Sequence, residues 1–288
     1  MIALIKRNLK IFFRDKAAVF FSLLTVFIII ALYTFFLGDL MVTDLTRAGV
    51  NNAGLLTDSW VMAGLLTVIS MTTTLGSLAV MVEDRSKRII NDFSTSPLKR
   101  TSLVFGYLLS SFIIGVIMSV IAFIAAEIYI VVGGGELLEP LAIIKIFGVI
   151  VLSVLSSGSI VFFVTSFISS QSAFNNLNIV IGTLLGFLTG IYVPIGSLPS
   201  SVQTVIKLFP PTHAGVLFRQ IMMDTLLKDT FGNLAPEILN DFTTTLGITI
   251  SFGDQQLSWL VSLIVLIVTT IVFYALALVN VNRKKSSL

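Results

Sequence analysis

Long apolar runs alternate with short polar stretches along most of the chain, and six of the runs reach the roughly 20 residues that a membrane-crossing helix needs. They cover residues 17–37, 60–82, 103–132, 143–168, 177–195 and 257–281. The third is long enough to tilt or to project beyond the lipid. The fourth and fifth are separated only by the polar turn "SSQSAFNN". The pattern predicts an all-α integral membrane protein with six transmembrane helices.

Three stretches outside these runs have a pattern of their own. In residues 1–16, "MIALIKRNLKIFFRDK", Ile2, Ile5, Leu9 and Phe12 recur at helical spacing, with Lys6, Arg7, Lys10 and Arg14 on much of the remainder. That describes an amphipathic helix lying in the membrane interface, its basic face toward anionic headgroups. Residues 83–100 lie within "MVEDRSKRIINDFSTSPLKRTS", where Asp84 precedes an apolar trio, Ile89, Ile90 and Phe93, and Pro97 ends the element. Ile89 and Phe93 are i,i+4 neighbours on one face. A short helix with one apolar knob, held between two spans, is shaped to fit a groove in another protein. A plain basic loop is the alternative, but nothing in a linker requires Ile-Ile-x-x-Phe. In residues 196–256, prolines break the backbone around the amphipathic piece "SSVQTVIKLF". Such interrupted apolar pieces beside a span predict re-entrant or interfacial helices, backed by protein or a water-filled cavity. The rest of that segment reads as a small external cap.

Composition agrees with the lipid setting. Hydrophobic residues make up 56% of the 288 and charged residues 11%, against about 25% charged in a soluble domain. Lys and Arg set the orientation. The N-terminal stretch, the 83–100 loop (Arg85, Lys87, Arg88, Lys99, Arg100) and the C-terminus (Arg283, Lys284, Lys285) fall on one side of a six-span chain. The other side has Arg47, Lys207, Arg219 and Lys228. Both termini are expected in the cytoplasm, and the protein in the plasma membrane. The first run exceeds the usual signal-peptide core of about 7–15 residues and no small-residue cleavage site follows, so it reads as a retained helix. There is no cysteine, and His213 is the only histidine, which excludes thiolate chemistry and any multi-histidine metal site.

These elements together resemble the ABC type-2 permeases, the membrane subunits of ABCG-like, or type V, exporters. Their coupling segment reads roughly E-R-x-x-G-x-x-x-x-L-x-x-x-P. Asp84 and Arg85 stand for the acidic-basic pair, Phe93 for the apolar position and Pro97 for the proline, while Arg88 occupies the usual glycine. After the fifth span the family pattern is matched by Gly190, Pro194, Leu198, Pro199, Pro210, Thr212 and Arg219. "FFRDK" resembles the family's R-D-P, with Lys16 in place of the proline. The resemblance implies a single membrane domain over residues 1–288, with an N-terminal connecting helix, a cytoplasmic coupling helix that docks on a separate ATPase subunit through Asp84, Arg85, Ile89, Ile90, Phe93 and Pro97, and re-entrant helices before the last span. It also implies a second copy of the chain, or a related permease, as partner. No G-x-x-x-x-G-K-[ST] occurs, so no nucleotide cofactor is expected in this chain; ATP and Mg would sit on the ATPase. "VVGGGE", at 131–136, lacks the lysine and reads as a turn. Membrane lipids are expected partners and nucleic acid is not.

Two polar stripes are candidates for a substrate path. Thr67, Ser70, Thr74 and Ser77 line the second run; Asn175, Asn178, Gly182, Gly186 and Thr189 line the fifth. Gly182 and Gly186 form a small-xxx-small pair suited to close packing. Across a dimer axis the stripes could pass a hydrophobic or amphipathic compound such as a drug, an antimicrobial peptide or a lipid; packing within one subunit is the competing explanation. Glu127 is the one acid well inside a run, where carboxylates are costly and usually functional, although it falls toward the end of the over-long third run. Lys145 marks the edge of the fourth. An ATP-driven exporter permease is the first reading of the whole. A secondary transporter or channel calls for charged relays or inverted repeats, and a lipid-acting enzyme calls for a cluster of nucleophile, acid/base or metal residues; neither pattern is apparent.

Overall fold

Helices dominate because the apolar runs must satisfy their own backbone hydrogen bonds in lipid. The computed structural model describes residues 1–33, 35, 38–47, 50–89, 100–232, 236–253 and 255–283. In chain order the helices are α1 (Ile2–Arg14), α2 (Lys16–Leu32), α3 (Gly38–Arg47), α4 (Ala53–Ser86), α5 (Arg100–Val132), α6 (Pro140–Ser166) and α7 (Gln171–Leu188). A 3-10 turn at Ile195–Ser197 follows, then α8 (Ser200–Leu208), α9 (Pro210–Met222), α10 (Asp224–Phe231) and α11 (Pro236–Thr245). A two-stranded antiparallel ribbon, Ser251–Phe252 with Gln255–Gln256, leads into α12 (Trp259–Arg283). Four described helices are long and apolar enough to cross a bilayer: Ala53–Ser86, Ser102–Val132, Pro140–Ser166 and Trp259–Asn280.

The bundle is organised around α4, which packs against α2, α3, α5, α6, α7 and α9. Its burial follows from its sequence: hydroxyls and small residues are spread around it, so neighbours can approach on every side. Lipid tails are as apolar as leucine, so contact between such helices depends on close packing and on hydrogen bonds rather than on escape from water. Ser77 Oγ donates to Ser111 Oγ on α5 at 2.5 Å, and Ser70 and Ser119 hydroxyls meet at 3.4 Å. By contrast, α12 leaves Leu260, Ile264, Ile267, Ile271 and Val279 exposed, as a lipid-facing helix does.

The fifth run differs from its expected bounds of 177–195. Helix α7 starts at Gln171, because the Ser170 hydroxyl caps it by accepting from the Ala173 amide at 3.2 Å, a favoured use of serine. It ends at Leu188, and Gly190 then turns the chain with φ +66°. The first run forms α2, with π-helical geometry following at Tyr33 and Phe35, and the rest of the expected span to residue 37 lies outside the described residues. Helix α1 lies against α5 rather than on lipid alone. Its buried face is Leu4, Ile5, Asn8 and Phe12, while Ile2, expected on the apolar stripe, is exposed.

Candidate functional site

Asp84 and Arg85 end α4 where the polar 83–100 segment begins. Neighbours along a helix point about 100° apart, so the two side chains brace different parts of the bundle. Asp84 is buried, and its two carboxylate oxygens accept from the Arg7 guanidinium of α1 at 2.7 and 2.8 Å. The same carboxylate accepts from the Tyr107 hydroxyl of α5 at 2.5 Å. A bidentate Arg–carboxylate pair fixes orientation as well as distance. The hydrogen bond to Asp84 holds the Arg7 pKa above its ordinary value against the opposing effect of burial. Asn8, next to Arg7, donates to Ser110 Oγ at 3.1 Å and ties α1 to α5 a second time.

Arg85 turns the other way. Its guanidinium donates to the carbonyls of Ile168 at 2.7 Å, Thr165 at 3.3 Å and Ser166 at 3.5 Å. These carbonyls lie at and just beyond the end of α6, where a cation complements the helix dipole and satisfies groups left without helical partners. Asn280 of α12 reaches Ser166 Oγ at 2.6 Å in the same region. The acidic-basic pair therefore fastens the last turn of α4 to α1, α5 and α6 at once. Just beyond it, Arg88 adopts a left-handed backbone with φ +59°, at the position where the family pattern has glycine. Ile89 is half-buried. Ile90, Phe93 and Pro97 lie outside the described residues.

The proline- and glycine-marked positions after α7 meet in a second cluster. Pro194 and Pro199 precede the 3-10 turn and α8, with Leu198 between them, and Pro210 occupies the first turn of α9, where its missing N–H costs nothing. Thr212 Oγ1 donates to the Leu188 carbonyl at 2.8 Å. Arg219 is fully buried and donates to the carbonyls of Thr189 and Gly190, both at 3.2 Å, and of Gly247 at 3.3 Å. Its guanidinium also stacks 4.8 Å from the Trp60 ring centre. Burial lowers the Arg219 pKa to about 10, partly offset by Tyr33, which leaves it charged at neutral pH. The Trp60 indole donates to the Leu246 carbonyl at 2.6 Å, and the Tyr33 hydroxyl to the Ile191 carbonyl. One cation thus gathers the end of α7, the turn after α11 and the start of α4 without a carboxylate partner among the described residues.

The two polar stripes occupy different settings. Thr67, Ser70, Thr74 and Ser77 are buried inside the subunit, facing α5, α6 and α9. Thr74 donates to backbone carbonyls of its own helix, and Gly215 of α9 comes close to the Thr67 hydroxyl. On α7, Asn175, Asn178 and Gly182 are exposed, beside the exposed Ile179, Val180 and Leu184. Gly186 and Thr189 are buried instead: the Tyr192 ring folds over Gly186, and Thr189 Oγ1 donates to the Leu185 carbonyl. The pairing of Arg7 with Asp84 has no signal in local sequence pattern, because a basic residue on an amphipathic helix looks like any headgroup contact.

Residues 50–279 match a family model described as ABC-2 family transporter protein. No curated protein matches the chain.

Proposed function

From the chain's place in the ABC-2 family of transporter proteins, to which it belongs, we propose that it is the permease subunit of an ATP-driven exporter. In this reading two copies, or one copy and a related permease, form the pathway, and a separate ATPase subunit binds ATP and Mg. The chain crosses the membrane six times, with both termini and residues 83–100 in the cytoplasm. Residues 83–100 act as the coupling helix, with Ile89, Ile90 and Phe93 as the knob that enters a groove on the ATPase. Residues 196–256 contribute re-entrant helices and an external cap. The substrate is hydrophobic or amphipathic, and the exposed α7 stripe of Asn175, Asn178 and Gly182 borders its path.

The observation that supports this reading most directly is the bracing at Asp84 and Arg85. A force applied by a partner to the segment that follows would reach α1, α5 and α6 together, because charge-assisted hydrogen bonds join all of them to the end of α4. A loop that served only as a basic anchor has no need of such a base. The test is to co-express the chain with its ATPase, pull down one subunit and quantify the other. Phe93→Asp should leave membrane insertion intact, weaken ATPase association and abolish ATP-driven export, since it places a charge in a desolvated groove. Full retention of ATPase and export would make the segment a basic anchor and favour an ATP-independent transporter or channel. Orientation is tested with single cysteines at Lys87, Lys284 and Lys228: an impermeant thiol reagent applied to intact cells should label only the last.

A further inference from the structure

Helix α1 meets α5 at three successive levels. A Cβ on Gly106 would stand 2.5 Å from Leu4 Cδ2, Asn8 donates to Ser110 Oγ at 3.1 Å, and Phe12 packs with Ile114 and Met118. Each step advances four residues on both helices, so α1 runs alongside α5 in the same direction and rises about 12 Å from Leu4 to Phe12. A helix lying flat in the interface would touch α5 at one level. The last turn of α1 therefore lies deeper than its first, next to Lys16, where the apolar helix α2 begins.

A turn of about 100° per residue divides the surface of α1 into three strips. Leu4, Ile5, Asn8 and Phe12 are buried against the bundle. Next to them stand Leu9, half-buried, and Phe13, 38% exposed. Beyond these, Lys6, Lys10 and Arg14 follow one another at four-residue spacing, all exposed. Like charges one helical turn apart repel, so such a row calls for a counter-charge. Lys87 and Lys228 find theirs one turn away, in Glu83 and Asp224. The ion pairs among the described residues include none of the three α1 cations. Three accessible cations edged by an exposed phenylalanine, where the chain enters the bilayer, fit a phosphate joined to a hydrocarbon chain.

We propose that the outer strip of α1 binds an anionic phospholipid, its phosphate held between Lys10 and Arg14 with Lys6 one turn away, and an acyl chain passing Phe13 into the bilayer. Ammonium and guanidinium groups hold phosphate oxygens through charge-assisted hydrogen bonds. The cytoplasmic leaflet, where the topology proposed above puts α1, is the anionic one and draws basic segments beside a membrane helix. The leaflet that supplies the lipid rests on that topology; the preference for an anionic headgroup rests on α1 alone. Arg7 of the same helix holds Asp84, so the bound lipid seats the helix that braces the end of α4.

The experiment places an indole beside the strip with Phe13→Trp in the full chain, reconstituted in phosphatidylcholine nanodiscs. Quenching of its fluorescence is compared for phosphatidylglycerol and phosphatidylcholine brominated in their acyl chains, at equal mole fraction. The signal of Trp60 and Trp259 is measured on the parent chain and subtracted. The discs offer both lipids on both faces, so the result is independent of orientation, which cysteine labelling tests separately. Phosphatidylglycerol should quench at least three-fold more strongly. Lys6→Gln, Lys10→Gln and Arg14→Gln together should remove that excess and leave quenching by phosphatidylcholine unchanged, which shows that α1 keeps its place at the bilayer. Lys284→Gln with Lys285→Gln should leave the excess intact. Equal quenching by the two lipids, an excess that survives the triple substitution, or one lost equally in the C-terminal double substitution overturns the proposal. Displacement of the excess by glycerol 3-phosphate at constant ionic strength would give the cations to soluble phosphate compounds, and its loss on binding of the ATPase would give them to that subunit; either overturns the lipid as their occupant.

Discussion

Arg7 and Asp84 are separated by 77 residues and meet through two hydrogen bonds of 2.7 and 2.8 Å. The pair is asymmetric: the Arg7 side chain is 32% exposed and the Asp84 side chain 3%. Removing the arginine strands a buried carboxylate with Tyr107 as its remaining side-chain donor, whereas removing the acid leaves an arginine that can turn toward water. Arg7→Ala should therefore cost on the order of 3 kcal/mol, and Asp84→Asn less than half as much. Thermal unfolding of the two purified variants in one detergent ranks them. A milder Arg7→Ala would mean that α1 is held by its apolar face and not by this pair.

Arg88 holds φ +59° where no β-carbon is favoured. A non-glycine residue in this region carries roughly 1–2 kcal/mol of strain, and glycine gives part of that back as chain entropy lost on folding. Arg88→Gly should thus raise the unfolding free energy by up to about 1 kcal/mol, leaving ATPase association unchanged. Arg88→Val, branched at the β-carbon, should lower both stability and association. Pull-down yield and melting temperature, measured on the same preparations, separate a backbone role from a charge role for this residue.

The long helices were legible because their signal is composition over many residues: α4, α5, α6 and α12 each enclose or nearly match the run that predicted them. The acidic-basic pair at Asp84 and Arg85 was legible as a motif, whereas the left-handed backbone of Arg88, at the family's glycine position, comes from the structure. What each charge holds was not legible, since Arg7 and Tyr107 are brought to Asp84 by packing between helices far apart in sequence. The α4 stripe shows the same limit. Thr67 and Ser77 look alike in sequence to Asn178, yet the first two are enclosed by neighbouring helices and the third is exposed. Periodicity identifies a face but not what covers it. The start of α7 at Gln171 was available from Ser170 as a cap, but the polar run "SSQSAFNN" reads as a turn when hydropathy alone is followed.

His213 gives a pH dependence with a definite sign. Its Nε2 donates to the Lys207 carbonyl at 3.0 Å, which leaves Nδ1 to accept from Ser262 Oγ at 3.1 Å. Burial lowers its pKa below the ordinary 6.5, partly offset by the Lys207 carbonyl. The unfolded chain therefore takes up a proton before the folded one does. Stability from this site is complete above about pH 6.5 and falls as the pH drops below it, by up to about 1.4 kcal/mol for each pH unit until the folded pKa is reached. Melting curves at pH 7.5 and 5.5 should show a larger drop for the parent protein than for His213→Gln. An equal drop in both would place the acid sensitivity elsewhere.

Gly182 and Gly186 stand one helical turn apart on α7, and the structure separates what they do. A Cβ on Gly186 would fall within the Tyr192 ring, which the chain reversal at Gly190 lays over the helix. A Cβ on Gly182 meets nothing within 4 Å. Gly186→Ala should displace that ring and destabilise the subunit by about 1–3 kcal/mol, as overpacking does. Gly182→Ala should instead stabilise the isolated subunit by about 0.5–1 kcal/mol, because alanine favours an exposed helix. The larger Gly182→Leu is the informative variant. If a second copy packs on this face, leucine should leave the melting temperature of the monomer unchanged, weaken self-association by ten-fold or more and reduce export with the ATPase still bound. Cross-linking yield between single cysteines at Asn178, with and without Gly182→Leu, measures the association directly. Unchanged cross-linking and unchanged export in Gly182→Leu would show that the bare face of α7 meets lipid, and the path would then have to run elsewhere in the subunit.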